Sequence, residues 1–270
     1  MTERSERHER RSFSGSSSAQ PVVVVTGGTR GIGQGLVSAF LAQGASVAYC
    51  GRNVVEDASP GALAVAADVT NRADVRKLWD ATVDKFGKVD IWVNNAGMSN
   101  SRKPLWELPA AEIDSVVGLN LQGTLHAGAV VLKAMLAQGH GTLWNMEGLG
   151  SNGQIVPGLT PYGATKRALT YATLAMAKEL KGTPVKVALL SPGMVVTDLL
   201  LQDYDPAELE KAKKIFNILA DRVETVTPWL AARVLAGTRN GGRVAWLTRP
   251  KAAYRFATAA FRKRDLFGDT

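Results

Sequence analysis

Val22 to Val25 form an unbroken β-branched run that leads straight into Thr26-Gly27-Gly28-Thr29-Arg30-Gly31-Ile32-Gly33 and then into a helical pattern. A glycine-rich turn between a buried strand and a helix constrains the fold more than any other feature of the chain. Continuous apolar runs, rather than alternating ones, mark strands buried on both faces. Such strands are parallel, and parallel strands need helical crossovers. The glycines let the backbone turn tightly and approach a pyrophosphate closely. The helix start adds unpaired N–H groups and a positive dipole end. With a strand before it and a helix after it, the loop predicts a nucleotide site rather than a plain turn.

The same alternation continues along the chain. Further strands are expected over 46–50, 62–67, 89–94, 141–146, 185–190 and 243–247. Helices are expected over 32–43, 72–86, 110–138, 162–181, 206–219 and 225–236. No linker divides this run and no fixed period repeats. The expectation is therefore a single-domain α/β protein, a Rossmann-type doubly wound parallel sheet of about seven strands with helices on both faces. That domain should cover residues 21–249, after a disordered leader over 1–20 and before a basic amphipathic extension over 250–270.

Composition excludes several classes. The 270 residues are 46% hydrophobic and 21% charged, a globular mix that excludes global disorder and fibres. A lone cysteine, Cys50, excludes an internal disulfide framework, and His8, His126 and His140 are too scattered to suggest a metal site. No apolar run approaches the roughly 18 residues of a membrane-spanning helix. The formal charge is +8, and the stretch from Arg243 to Thr270 supplies +5 of it. No nucleic-acid motif accompanies that charge, so no nucleic-acid partner is expected. The first 20 residues carry arginines and serines, but Glu3, Glu6 and Glu9 interrupt them and no apolar segment follows. That pattern favours a cytoplasmic protein over one imported into an organelle such as a plastid.

Cofactor choice can be read at the end of the second strand. An NAD site needs an acid there for the ribose hydroxyls. The strand instead ends Tyr49-Cys50-Gly51-Arg52-Asn53. Arg52 is suited to a 2′-phosphate, with Arg30 in the glycine loop as a second cation, so NADPH is the expected cofactor. The alternative is that both are solvated surface arginines.

Six motifs in order resemble the short-chain dehydrogenase/reductase family, over roughly Val22 to Leu247. The glycine loop matches at Thr26, Gly27, Gly31 and Gly33, with Thr29, Arg30 and Ile32 between them. Asp68-Val69 matches the family's adenine-contacting acid, and Asn94-Asn95-Ala96-Gly97 its strand end. Asn120 matches its helical active-site asparagine. Tyr162 and Lys166 match Y-x-x-x-K. Pro192, Gly193, Val195 and Thr197 fall in its P-G-x-x-x-T loop. The resemblance implies that these loops bind the cofactor and that Tyr162 is the catalytic acid. It further implies that Lys166 holds the nicotinamide ribose, that Asn120 anchors a relay water, and that the helices over 110–138 and 162–181 build a homodimer or homotetramer. Residues four apart share one helix face. A neighbouring ammonium favours the phenolate of a phenol that otherwise titrates near 10. Tyr162 can then give a proton to a carbonyl oxygen as hydride arrives.

The pattern breaks in one place. The family's carbonyl-binding serine falls on Gly148, in Asn145-Met146-Glu147-Gly148-Leu149-Gly150-Ser151. Either the loop bends Ser151 into that role or the carbonyl is polarised another way. Glu147 is a second oddity, an acid beside the expected active site. This loop, the Ser191–Leu201 stretch, Ile215-Phe216-Asn217-Ile218 and the Leu247–Pro250 turn resemble the chlorophyll b reductase branch of the family. That branch implies NADPH-dependent reduction of a chlorin formyl group to hydroxymethyl, although the long leader of a plant member is lacking. The alternatives are a reductase of a different ketone, aldehyde or acyl substrate, or a cofactor-binding scaffold without catalysis. The apolar stretch after Asp198, with Leu199 to Leu201 and Tyr204, suits a substrate lid for a flat, greasy molecule. The C-terminal aromatics Tyr254, Phe256 and Phe261 among basic residues suit peripheral contact with a membrane surface, a sheet edge or a partner subunit.

Overall fold

A computed structural model describes residues 20–55, 57 and 59–268. The leader expected over 1–20 lies outside them except for Gln20.

All seven expected strands form. In chain order they are β1 (Val22–Thr26), β2 (Ser46–Gly51), β3 (Ala62–Ala66), β4 (Ile91–Asn94), β5 (Gly141–Met146), β6 (Val185–Ser191) and, after a small two-stranded pair, β9 (Arg243–Ala245). They make one parallel sheet in the order β3-β2-β1-β4-β5-β6-β9. The order reverses between β1 and β4, and the crevice at that reversal is where open α/β sheets bind ligands. The additional pair, β7 (Val195–Val196) with β8 (Asp221–Arg222), was not legible as strand pattern. It pins the loop after β6 to the far end of the lid.

The helices cover the sheet on both faces. On one face, α1 (Gly31–Ala42) and α8 (Val223–Leu235) bury Leu36, Phe40, Leu230 and Val234 against Val23, Val25, Val93 and Trp144. On the other, α2 (Arg72–Phe86), α4 (Gly123–Gln138) and α5 (Thr160–Glu179) pack on a core that includes Val75, Leu78, Val131 and Met135. Strands that bury successive residues on opposite faces need this double cover.

The helix expected over 110–138 is not uniform. It runs as α3 (Ala110–Val117), a π-helical turn (Gly118–Gln122), then α4. The whole run of 29 residues reaches a mean hydropathy of 1.3 over 18 residues, enough in length and composition to cross a membrane. This corrects the expectation that no segment approaches that threshold. Here Val116, Asn120, Ala127, Val131 and Met135 of the run are buried within the fold.

The segment expected as a lid comprises α6 (Asp198–Leu201) and α7 (Pro206–Leu219), where Asp205 caps α7 by accepting from the Ala207 N–H at 2.9 Å. The C-terminal helix α9 (Arg249–Thr258) begins at Thr248, whose hydroxyl accepts from the Lys251 N–H. It buries none of its residues fully, and Arg255 ties it to the body through the Leu219 carbonyl and Asp221.

Candidate active site

The nucleotide crevice is built by interlocking the β1 and β4 loops. Thr26 Oγ1 accepts from the backbone N–H groups of both Asn95 and Ala96, each at 3.0 Å. Asn95 Nδ2 donates to the carbonyls of Thr26 and Gly27 at 2.9 and 3.2 Å. Gly33 is obligatory, because a Cβ there would overlap the Gly27 carbonyl and the Asn95 amide. Arg30 precedes α1 without capping it by its side chain, leaving the first-turn N–H groups facing the crevice entrance. A Cβ on Gly31 would meet the Thr197 methyl at 3.5 Å, so the loop of Pro192, Gly193, Val195 and Thr197 closes the ring around the crevice. Asp68 accepts from the Thr70 N–H and hydroxyl at 2.9 and 2.7 Å, and the backbone bond chiefly holds its carboxyl below the usual range. Val69 beside it is buried. Arg52 is exposed just past β2, and its charge acts on Asp68.

The nearby acid that sequence reasoning passed over is Asp57. Its carboxylate accepts from Tyr49 Oη and from the Ser59 N–H, both at 2.8 Å. It therefore serves the β2 loop.

The reactive residues converge at the C-terminal ends of β4 and β5. Asn120 sits in the π-helical turn, a device frequent at functional sites. Its Oδ1 accepts from the Met98 N–H at 2.9 Å, and its Nδ2 donates to the Met98 carbonyl at 2.8 Å and to Thr165 Oγ1 at 3.2 Å. A Cβ on Gly97 would stand 3.2 Å from Asn120 Oδ1 and 3.6 Å from Lys166 Nζ, which brings these three residues together. Tyr162 and Lys166 lie one turn apart on α5, with Lys166 Nζ 5.8 Å from the Tyr162 ring centre. Lys166 Nζ donates to the Met146 carbonyl at 3.3 Å. The Tyr162 N–H donates to Asn100 Oδ1 at 3.2 Å, fixing the start of the helix.

Burial dominates the titration of both groups. It pushes Tyr162 up to about 12 and Lys166 down to about 8, with the Glu147 charge partly opposing the second shift. The expectation that the ammonium would tip Tyr162 toward the phenolate is corrected, because burial outweighs it. The phenol is held protonated, the form a proton donor needs.

Ser151, expected as a carbonyl donor, is occupied elsewhere. It is 4% exposed. Its Oγ accepts from the Gly148 N–H at 3.1 Å and donates to the Lys166 carbonyl at 3.3 Å. Its own carbonyl accepts from Arg167 and Thr170. It staples the β5 loop to α5. Gly148, where the family has its serine, lies directly against the Tyr162 hydroxyl.

Beneath the site runs a buried polar chain that sequence reasoning missed. Trp92 Nε1 donates to Asn94 Oδ1 at 2.8 Å, Asn94 Nδ2 to Asn145 Oδ1 at 2.9 Å, and Asn145 Nδ2 to Thr173 Oγ1 at 2.9 Å. It ties β4, β5 and α5 together directly below the reactive residues. The signal for it was two asparagines inside strands otherwise built of apolar residues.

A family profile described as short chain dehydrogenase matches residues 21–207, more than half of the chain. The chain belongs to the short-chain dehydrogenase family. It is 32% identical, over 92% of its length and 54% of the relative's, to an Arabidopsis thaliana protein named probable chlorophyll(ide) b reductase NYC1, chloroplastic. It is 34% identical, over 90% of its length and 76% of the relative's, to the Oryza sativa subsp. japonica protein named chlorophyll(ide) b reductase NOL, chloroplastic. The chain thus spans about half the length of the first of these relatives. Both names place those proteins in the chloroplast and give the cytoplasmic expectation no support. Among solved structures, the 3-ketoacyl-(acyl-carrier-protein) reductase of Brucella melitensis complexed with NADH superposes with a TM-score of 0.73 at 28% identity, covering 85% of this chain and 98% of that one. An oxidoreductase using a nicotinamide cofactor follows from the family and these likenesses.

Proposed function

We propose that this short-chain dehydrogenase is an NADPH-dependent carbonyl reductase, and that its substrate is the formyl group of a chlorophyll b-type chlorin, reduced to hydroxymethyl. The observation that carries the reductase reading is the protonated Tyr162 beside Lys166 at the end of β5, with Asn120 locked by Met98 next to them. The chlorin reading rests on the two relatives and on the resemblance of the Met146-Glu147-Gly148 loop to that branch of the family.

The crevice fits a dinucleotide, because Gly27, Gly31 and Gly33 clear its floor and the first turn of α1 offers its N–H groups. Thr26, Thr29, Arg30 and Ile32 complete that loop. Asp68 and Val69 would border the adenine end, Arg52 and Arg30 would hold the 2′-phosphate, and Asn95, Ala96, Gly97 and the Pro192–Thr197 loop would border the nicotinamide end. When bound, NADPH supplies a hydride. Tyr162 Oη would give its proton to the formyl oxygen, so that R–CHO, gaining a hydride and a proton, would become R–CH2OH. Lys166, charged below about 8, stabilises the phenolate left behind. Asn120, with both ends of its side chain engaged by Met98 and Thr165, would hold the π-helical turn in place beside Lys166. Ser151 positions the loop that carries Gly148.

A missing serine hydroxyl removes one donor to the carbonyl, and the Tyr162 hydroxyl takes the space over Gly148. Apolar surface for a flat ring comes instead from the segment after Asp198, with Leu199 and Ile215 exposed and Tyr204 edge-on to Phe216 at 6.1 Å. The apolar face of α4 and α5, with Leu125, Leu136, Tyr171 and Leu174 exposed, supports a homodimer or homotetramer. The exposed Tyr254, Phe256 and Phe261, among basic residues, support contact with a membrane surface.

The test is incubation with NADPH and chlorophyll b, or its phytol-free form, followed by chromatography. A hydroxymethyl product from the wild-type protein, absent with Tyr162→Phe at unchanged NADPH affinity, is expected. No product while NADPH still binds overturns the chlorin substrate, and full turnover by Tyr162→Phe overturns the acid.

A further inference from the structure

Glu147 is the one buried acid of the site that the mechanism above leaves without a task. It is the first residue past β5, and its N–H continues the ladder to the Leu190 carbonyl at 2.8 Å. Its side chain is 6% exposed, and a carboxylate that deep needs a partner. The partner is Arg243 of β9, two strands away, whose Nε lies 2.7 Å from Glu147 Oε2. Arg243 Nη2 also donates to Ser191 Oγ at 3.3 Å, so the ion pair bridges the ends of β5, β6 and β9. Arg243 itself is 47% exposed and is held over the carboxylate from the solvent side.

Both chain neighbours of Glu147 touch Lys166. The Met146 carbonyl accepts from Lys166 Nζ at 3.3 Å, and a Cβ on Gly148 would stand 3.2 Å from Lys166 Cε. The groups facing Lys166 are few. Its own helix brings the neutral Tyr162, the π-helical turn brings the neutral Asn120 amide, and the β5 loop brings Glu147. Arg243 of β9 acts through its pair with Glu147. Among the described residues, Glu147 is the acid whose field reaches the ammonium.

We propose that Glu147 is a positioning residue that keeps Lys166 charged, and that Arg243 attenuates its pull, so that this ion pair sets the pH above which the Tyr162–Lys166 pair stops working. The inference rests on Lys166 as the support of Tyr162, but not on the identity of the carbonyl substrate. The physical reason is a competition. Burial favours the neutral amine, and the nearby carboxylate favours the ammonium. Neutralising the carboxylate removes the charge that opposes burial, and removing the guanidinium leaves the carboxylate's field less compensated. The two changes act in opposite directions. A purely structural ion pair, worth only the stability of the β5 and β9 ends, predicts no such opposition.

The test reads Lys166 directly. Protein labelled with 13C at lysine Cε is titrated by NMR from pH 6 to 10, with the Lys166 resonance assigned by its loss in Lys166→Arg. Glu147→Gln, which keeps the shape and an acceptor for Arg243, should move the Lys166 midpoint down by about one pH unit, a tenfold change in proton affinity. Glu147→Asp should restore most of it, and Arg243→Gln should move it up. The alkaline limb of kcat/KM for carbonyl reduction should shift the same way in each variant. Circular dichroism and NADPH binding confirm that each variant is folded. An unmoved midpoint in folded Glu147→Gln, or shifts of the same sign in Glu147→Gln and Arg243→Gln, overturns the inference. If the midpoints move as stated while the wild-type protein reduces no carbonyl, the reductase reading falls and the inference stands. If carbonyls are reduced while the midpoints do not move, the reverse holds.

Discussion

The Tyr162 hydroxyl rests on the α-carbon face of Gly148: a Cβ there would overlap the hydroxyl oxygen and stand 3.1 Å from Tyr162 Cζ and 3.2 Å from Lys166 Cε. The site is therefore built around the absence of a side chain at the position where the family places a serine. Gly148→Ala adds one methyl and must displace the phenol or the lysine stem. Overpacking of this kind costs about 1–3 kcal/mol. A misplacement of about 1 Å at a catalytic group costs roughly 100-fold in rate. Gly148→Ser, which restores the family's hydroxyl, should lose turnover by a similar factor. Steady-state kinetics with thermal melts check both variants, and wild-type turnover in either would show that the phenol does not need this space.

The opposed shifts of Tyr162 and Lys166 give a pH signature. Reduction needs the phenol protonated and the amine charged. Tyr162 stays protonated to about 12, and Lys166 loses its charge through about 8. At neutral pH both forms are present. As pH rises past about 8 the amine is the first to fail, so kcat/KM for reduction should fall by up to about tenfold per pH unit there. Stability moves the opposite way. The folded value lies below the ordinary 10.5, so between about 8 and 10.5 the unfolded chain binds more protons at this residue. Its contribution to stability therefore rises with pH across that window. A flat rate profile from pH 7 to 10 would show that the charge on Lys166 is not needed.

Arg52 stands exposed past β2, close enough for its charge to act on Asp68. Among the described residues of that loop, the acid Asp57 is engaged with Tyr49 and Ser59. A charge-assisted contact to a 2′-phosphate is worth about 1.5–3 kcal/mol. Arg52→Ala should therefore raise the KM for NADPH by roughly 10- to 100-fold and leave that for NADH nearly unchanged. Equal effects on the two cofactors would remove Arg52 from the 2′-phosphate site.

The sheet was legible because its signal is local: short strand runs, those of the inner strands β1 and β4 buried on both faces, with glycines at the first crossover. The reactive residues were legible because their spacing is local too, Tyr162 and Lys166 on one turn and the glycines in one loop. What escaped depends on contacts distant in sequence. Ser151 reads as a spare hydroxyl until Gly148 N–H and the Lys166 carbonyl are seen to engage it. The phenol's shift was misjudged because spacing shows the nearby ammonium but not the burial that outweighs it. The Glu147–Arg243 pair joins residues 96 apart, and no periodicity marks such a pair. The break of the long helix at Asn120 also left no trace in composition.

Asp221 shows how the C-terminal extension, expected as a separate basic helix, is fastened to the lid. Its carboxylate is 4% exposed. It accepts from Trp246 Nε1 at 2.6 Å, lies 2.9 Å from Arg255 Nη2 and 2.6 Å from Arg264 Nη2. Those arginines also donate to the carbonyls of Leu219, Ile218 and Ala220 at the end of α7. Asn217 Oδ1 accepts from the Leu266 N–H at 2.8 Å. Asp221→Asn removes the charge that two cations share. Removing one partner of a buried pair costs about 3–5 kcal/mol, and the partial exposure of both arginines reduces that to about 2–4 kcal/mol. At about 2–4 °C per kcal/mol for a chain of this size, the melting temperature should fall by roughly 5–15 °C. Trypsin should cut after Lys251, Arg255 and Arg262 faster than in the wild-type protein, because the segment is released before the sheet unfolds. The exit of α7 would lose its anchor at the same time, so KM for the carbonyl should rise while NADPH affinity, set by the distant β1 loop, holds. Unchanged melting and proteolysis would mean that the backbone carbonyls of α7 alone suffice to hold the arginines.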